Sequence, residues 1–281
     1  MKRLAAVVSL WLVLGLSLDG CAIPFWDYDP IDWLVGGEGN KPLDYATLMR
    51  VGAGAHAAGD LPTAVGVYRH AATLDLGAAA PLVAAGNSLM EMGDANEAIR
   101  AYDSALNRSG GDGEALRGIA RAYLMTGEVE RAGGPLAAAY RETPDDPKLL
   151  QLIGVADDFV GRHEEAQARY RRGLELLPHD RALSLNLALS LALTGNFVEA
   201  VSVLRPIAAG PGSTPRERLT LALIYGLAGD RRAAQEIARH DLDHEQMERN
   251  LAYYEDLRHL PPDARERGIQ TLTRRTDQPH S

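Results

Sequence analysis

Gly59, Gly93, Gly127, Gly161, Gly195 and Gly229 stand 34 residues apart without one insertion or deletion. Five residues after each comes an alanine: Ala64, Ala98, Ala132, Ala166, Ala200 and Ala234. A fixed period of this length marks an architecture in which each unit buries its apolar face only against its neighbours. Glycine tolerates the left-handed conformation that ends a helix, so each repeat glycine predicts the stop of a first helix. The alanine predicts a second helix crossing close by, because only a methyl lets two helix axes approach. Seven residues before each glycine, Gly52, Gly86, Ala120, Gly154, Ala188 and Ala222 supply a matching small surface, and the two small faces are expected to meet. Larger knobs, such as Tyr68, Tyr102, Leu136, Tyr170 and Leu204 on the second helices, fill the space between.

The predicted fold class is therefore all-α, and a composition rich in Ala and Leu with 6% aromatics agrees. This spacing resembles the tetratricopeptide repeat over residues 45–248, in six units: 45–78, 79–112, 113–146, 147–180, 181–214 and 215–248. The resemblance implies an α-solenoid of helix-turn-helix pairs. The proline that usually closes the unit survives as Pro144 and Pro178, while Gly110 and Gly212 serve similar turns. Pro206 is expected to break the fifth unit's second helix early, and the sixth unit's second helix reads as weak, with Ala238 and Asp241 at apolar places. A capping helix is expected over 249–260, within a helix-forming stretch from Glu245 to Leu257, because a solenoid must cover its last apolar face. Residues 261–281 are polar, proline-flanked and expected to be disordered.

The chain begins with Met1-Lys2-Arg3, an apolar run from Leu4 to Leu18, and Leu18-Asp19-Gly20-Cys21. That order is the layout of a secretory signal over residues 1–20, and the run is shorter than the roughly 20 residues a membrane-spanning helix needs. Leu18-Asp19-Gly20-Cys21 resembles the lipobox of bacterial lipoproteins, which implies cleavage before Cys21, the chain's single cysteine, and lipid on its sulfur and new amino group. Two or three acyl chains make a durable membrane anchor where one is marginal. Ala22 follows the cysteine, and in the enteric sorting pattern the lack of Asp there implies the outer membrane. Residues 21–44 form a tether containing Phe25, Trp26, Tyr28 and Trp33, read as rings that rest at lipid headgroups or on the first repeat, with a partner-docking peptide as the alternative.

Catalytic signatures are missing: there is no phosphate loop, no Gly-x-Ser-x-Gly elbow and no His-Glu-x-x-His. The chain reads as a non-enzyme with no cofactor beyond the covalent lipid on Cys21. A net charge of -9 argues against nucleic acid. His240 and His244 with Asp241 and Asp243 lack a third ligand group for a metal, and Asp27, Asp29 and Asp32 lack the glycine and glutamate of a calcium loop.

The useful surface is the concave one, lined in this family by the first helices. There the second to fourth units place Asn87, Met90, Arg117, Arg121, Lys148, Gln151, Asp158 and Phe159, a mixed and partly basic groove. The fifth and sixth units place Leu185, Leu189, Leu193, Leu219, Leu223 and Leu227, a greasy strip. Burying each leucine contributes about 2 kcal/mol, so something is expected to cover them. Either the capping helix, with Leu251, Tyr253, Tyr254 and Leu257, folds over them, or an amphipathic partner segment binds helix-in-groove.

The stretch from Thr214 to Arg258, through Tyr225-Gly226-Leu227-Ala228-Gly229-Asp230 and Asn250-Leu251-Ala252-Tyr253-Tyr254, resembles the C-terminal signature of the TadD lipoproteins of tight-adherence (Flp) pilus assembly. That resemblance implies a scaffold on the periplasmic face of the outer membrane, a pilot for the pilus secretin. A general envelope repeat lipoprotein, serving polysaccharide export or outer-membrane protein assembly, is the alternative, since fold does not set function.

Overall fold

The computed structural model describes residues 43–261, 264–265 and 267–269, and every regular element among them is a helix. The signal segment, Cys21 and the tether through residue 42 lie outside the described residues. Thirteen helices follow in chain order between Tyr45 and His259. Twelve form the six pairs α1 (Tyr45–Ala57) and α2 (Leu61–Leu74), α3 (Ala80–Glu91) and α4 (Ala95–Ser109), α5 (Gly113–Thr126) and α6 (Val129–Glu142), α7 (Pro147–Phe159) and α8 (His163–Leu176), α9 (Arg181–Leu193) and α10 (Phe197–Ala208), and α11 (Pro215–Ala228) and α12 (Arg231–Ala238). A single helix, α13 (His244–His259), follows them. No helix among the described residues is long and apolar enough to cross a membrane.

Local chemistry sets these boundaries. Asp44, Asp112, Asp146 and Asp180 cap α1, α5, α7 and α9 by accepting main-chain N–H groups that the first turn leaves without partners. Thr214 does the same for α11, and Glu217 completes a capping box with it. At the other end of the first helices, the six repeat glycines have φ from 76° to 86°. There a side chain would be strained, and the chain turns into the second helix.

The six repeat alanines are each 0% exposed. The small residues on the first helices are faced differently from the sequence expectation. A Cβ on Gly52, Gly86 or Gly154 would lie 2.7, 2.5 or 2.5 Å from the ring of Tyr68, Tyr102 or Tyr170. The two small faces thus do not simply meet, because a ring takes the room a methyl would need. In the units that have Ala120 and Ala188, the tyrosine place holds Leu136 and Leu204, and all four are buried. In the first five units glycine goes with tyrosine and alanine with leucine, so each pair trades one volume for the other, whereas the sixth unit has Ala222 with Ala238.

First helices also touch the first helices of adjacent units, α3 with α5, α5 with α7, α7 with α9 and α9 with α11. They line one side of the stack. At its C-terminal end α12 has only eight residues, the weak helix expected there. Beyond it, α13 buries Met247, Leu251, Tyr254 and Leu257 in one cluster with Ala222, Leu223 and Leu227 of α11. This capping helix begins at His244 rather than at 249, because Asp243 and Gln246 form a capping box.

Two expectations are corrected. Pro206 does not break α10 at once: the helix runs on to Ala208, yet it stops short of the register in which α2, α6 and α8 end, because a proline in the last turn disturbs that turn only. Residues 264–265 and 267–269 are helical, not disordered, and Ile269 is 2% exposed. Polar composition misses an anchor made by one aliphatic side chain.

Candidate functional site: the groove of the first helices

The first helices line two cavities of about 630 Å³ each, which share Gln151 and Ala182 and so form one groove. Asn87, Arg117, Arg121, Lys148 and Gln151 face the first cavity. Asn87 is held from two sides, since the Tyr102 hydroxyl donates to its Oδ1 at 2.8 Å and its Nδ2 donates to Glu114 at 3.0 Å. Tyr102 itself is wedged between Gly86 and Gly118, where added Cβ atoms would come within 2.5 and 2.4 Å of its ring. Arg117 pairs with Asp146 at 2.8 Å, so its charge is met inside the groove, and His56 Nε2 lies 3.1 Å from Glu91 Oε1. Among the described residues Arg121 reaches the Tyr102 hydroxyl, and neither Arg121 nor Lys148 has an ion-pair partner there. This end can receive a carboxylate on two exposed cations.

The second cavity has an apolar wall of Val155, Phe159, Leu185, Leu189 and Leu193, and polar residues, Arg181, Asn186, Arg216 and Glu217 among them, share its lining. Asp158 stands among them at the repeat place that holds Met90 and Leu124 in earlier units, both under 9% exposed. An acid in a core position needs partners, and it has three. Its Oδ1 accepts from Ser190 Oγ at 2.7 Å and meets His163 Nδ1 at 2.8 Å, while its Oδ2 accepts from the Tyr170 hydroxyl at 2.9 Å. Burial pushes the Asp158 carboxyl above its ordinary range, and these hydrogen bonds pull against that rise. Such a group contributes stability that is complete below its unfolded pKa, about 4, and is lost as pH rises through the raised value. Asp158→Asn is therefore expected to gain on the parent chain in thermal midpoint as pH rises from about 4. A difference that stays constant with pH would show that this carboxyl does not titrate in the window.

Across the cavity Arg181 donates through Nε to Glu217 at 2.7 Å and through Nη2 to the Gly212 carbonyl at 3.0 Å. Burial alone would raise the Glu217 carboxyl, but hydrogen bonds from Arg181 and Thr214 outweigh it and hold the group below its ordinary value. The fifth and sixth units are thereby tied at the groove's rim.

Four expected groove residues lie elsewhere. Met90 is 7% exposed and belongs to the core of the earlier units, because its helix turns that position toward the neighbouring pair. Leu223 and Leu227 are buried under α13, with Leu219 half-buried against the same cluster. The leucine strip is thus divided: its sixth-unit half is core beneath the cap, and Leu185, Leu189 and Leu193 of the fifth unit face the cavity. The sequence reading missed Ile269, which lines the cavity, and the Arg181–Glu217 bridge. The capping-box spacing of Thr214 and Glu217 marked the start of α11 but not its bridge to Arg181, and nothing in the tail's composition pointed to Ile269. Near His240 and His244, Asp241 is taken by Arg218, whose Nε donates at 2.7 Å. Among the described residues no group of three or more His, Cys, Asp or Glu is placed to hold a metal.

Comparison with known proteins agrees with this geometry. The tetratricopeptide repeat family matches residues 83–147 and 154–214. The uncharacterized protein y4yS of Sinorhizobium fredii (strain NBRC 101917 / NGR234) is 34% identical over 102 residues, 36% of this chain and 55% of that protein, so the chain spans about half of this relative. The solved structure of Pseudomonas aeruginosa pilF aligns with a TM-score of 0.62 at 18% identity, over 74% of this chain and 96% of that one. The Cut9-Hcn1 hetero-tetramer of the APC/C aligns with a TM-score of 0.68 at 16% identity, over 75% of this chain and 42% of that chain. At these identities the two structures speak for the fold alone.

Proposed function

We propose that this chain is a tetratricopeptide-repeat protein that holds other proteins, a non-catalytic lipoprotein scaffold for tight-adherence (Flp) pilus assembly. In this reading Cys21 carries lipid at the periplasmic face of the outer membrane, and the groove holds a protein partner, the pilus secretin, while it reaches or remains in that membrane. The observation that carries the partner-holding part is the groove itself: Arg121 and Lys148 are exposed at one end, and Leu185, Leu189 and Leu193 line the other, all on packed helices. Side chains on a rigid scaffold present contacts at little ordering cost to the partner-binding step. The pilus assignment is supported by the C-terminal sequence signature from Thr214 to Arg258, and the anchor by Leu18-Asp19-Gly20-Cys21.

The test compares a deletion strain and a Cys21→Ser strain with the parent for secretin abundance and membrane location. Deletion is expected to lower secretin in the outer membrane, and Cys21→Ser is expected to release the scaffold from lipid and mislocalise the secretin. Unchanged secretin in both strains would sink the pilot role.

A further inference from the structure

Helix α7 has an open space on each side of it. Gln151, Val155 and Phe159 face the groove, while Ile153, Ala156 and the following Val160 face a cavity of about 410 Å³ shared with α6 and α8. This cavity lies at the seam between the third and fourth units, where one side chain is missing. Gly133 lines it, at the repeat place that holds Val65, Ile99, Gln167 and Val201 in other units. That place reaches toward the end of the next unit's first helix, since Gln167 Nε2 donates to Thr194 Oγ1 at 3.2 Å one seam later. Here the counterparts are Gly133 and Val160. Val160 is left 48% exposed, and a Cβ on Gly133 would meet nothing within 4 Å.

The second helices at this seam also lack an ion pair that other seams have. Arg69 pairs with Glu97 at 3.0 Å and Arg171 with Glu199 at 2.8 Å, joining the first unit to the second and the fourth to the fifth. The same two places hold Ala137 and Glu165 here, which cannot pair. Arg169 does reach across, 5.3 Å from the centre of the Tyr140 ring and with Nη1 3.4 Å from its hydroxyl, a long contact. On the groove side the units are fastened by Arg117 with Asp146 at 2.8 Å. A close-packed seam resists deformation, whereas a seam with a void on one side can tilt into it.

We propose that the seam between the third and fourth units is a hinge at α7, where the cavity behind the helix closes as the groove in front of it widens. Closing buries Ile153 and Val160, which favours the tilt. It also draws Lys148 and Gln151 away from Arg121 and strains the Arg117–Asp146 pair, which opposes it. The basic and leucine-lined halves of the groove thereby change their spacing. The motion is a property of the free chain and stands apart from the identity of any partner.

The experiment uses the full chain with Cys21→Ser and nitroxide labels on introduced cysteines, read by double electron–electron resonance. Asn107→Cys with Glu175→Cys crosses the seam, and Thr73→Cys with Arg141→Cys, at the same repeat places, stays within the first three units; all four positions are exposed. The first pair is expected to give a broad or two-peaked distance distribution and the second a narrow one. Gly133→Val, which puts the first unit's side chain into the cavity, is expected to narrow the first distribution to the width of the second, with helical circular dichroism unchanged. Ala137→Arg, which restores an ion pair with Glu165, is expected to do the same by another route, so a misfolded Gly133→Val does not end the test. Gly134→Ala raises helix propensity in α6 without lining the cavity, and is expected to leave the distribution broad. Equal widths for the two pairs in the parent chain would overturn the proposal. So would undiminished breadth in both locking variants, or equal narrowing by Gly134→Ala.

Discussion

Leu223→Asp is expected to open the C-terminal end of the stack, whereas Leu189→Asp, one repeat earlier on the same face, is expected to leave the fold intact and remove partner binding. Leu223 is 4% exposed beneath Leu251, Tyr254 and Leu257, so aspartate there forfeits its burial and places a charge with no partner in an apolar cluster. The combined cost is about 4 kcal/mol or more. In a solenoid each unit contacts only its neighbours, so the damage is expected to stay local. Hydrogen exchange should show α11 to α13 losing protection while α1 to α8 keep theirs. Leu189 is half-buried on the cavity wall, where water can solvate a carboxylate. Its replacement is expected to cost about 1 kcal/mol of stability and to weaken partner binding at least about tenfold. Protected amides in Leu223→Asp would mean that α13 does not close the stack, and undiminished binding in Leu189→Asp would mean that the groove is not where partners dock.

Gly154→Ala should destabilise the middle of the stack by about 3 kcal/mol, because its methyl would meet the ring of a Tyr170 that is 1% exposed and hydrogen-bonded to Asp158. Tyr170→Leu alone should cost about 2 to 3 kcal/mol, from the space it leaves and the donor it takes from Asp158. The double variant reproduces the alanine–leucine pairing already present at Ala120 with Leu136 and at Ala188 with Leu204. It should therefore cost less than the sum of the single changes by about 1 to 2 kcal/mol, a coupling readable in a denaturant double-mutant cycle. Strict additivity would show that ring and glycine do not compete for one volume.

That pairing was visible in the sequence as a correlation between positions sixteen residues apart, yet its meaning depended on packing. Periodicity says that Gly154 and Ala166 are both small; only the crossing of α7 and α8 shows that Tyr170 covers the glycine. The groove divides in the same way. Asn87, Arg117, Arg121, Lys148, Gln151, Phe159, Leu185, Leu189 and Leu193 were assigned to it by their place in the repeat, and they line it. Met90 has the same outward look in the sequence but sits one helical step further round, where Leu124 and Ala192 of other units are also buried.

The 34-residue glycine register and its alanines were enough to determine helix count in the repeats, pairing and the stop of each first helix. Those are local matters of backbone conformation and of period, and a one-dimensional stack repeats them without reference to distant chain. The fate of the leucine strip could not be read that way. It depended on where α13 and Ile269 came to rest, outside the repeat, and a residue's periodicity carries no information about an element that breaks the period. Tertiary packing alone turned one half of the strip into core and left the other as the wall of a groove.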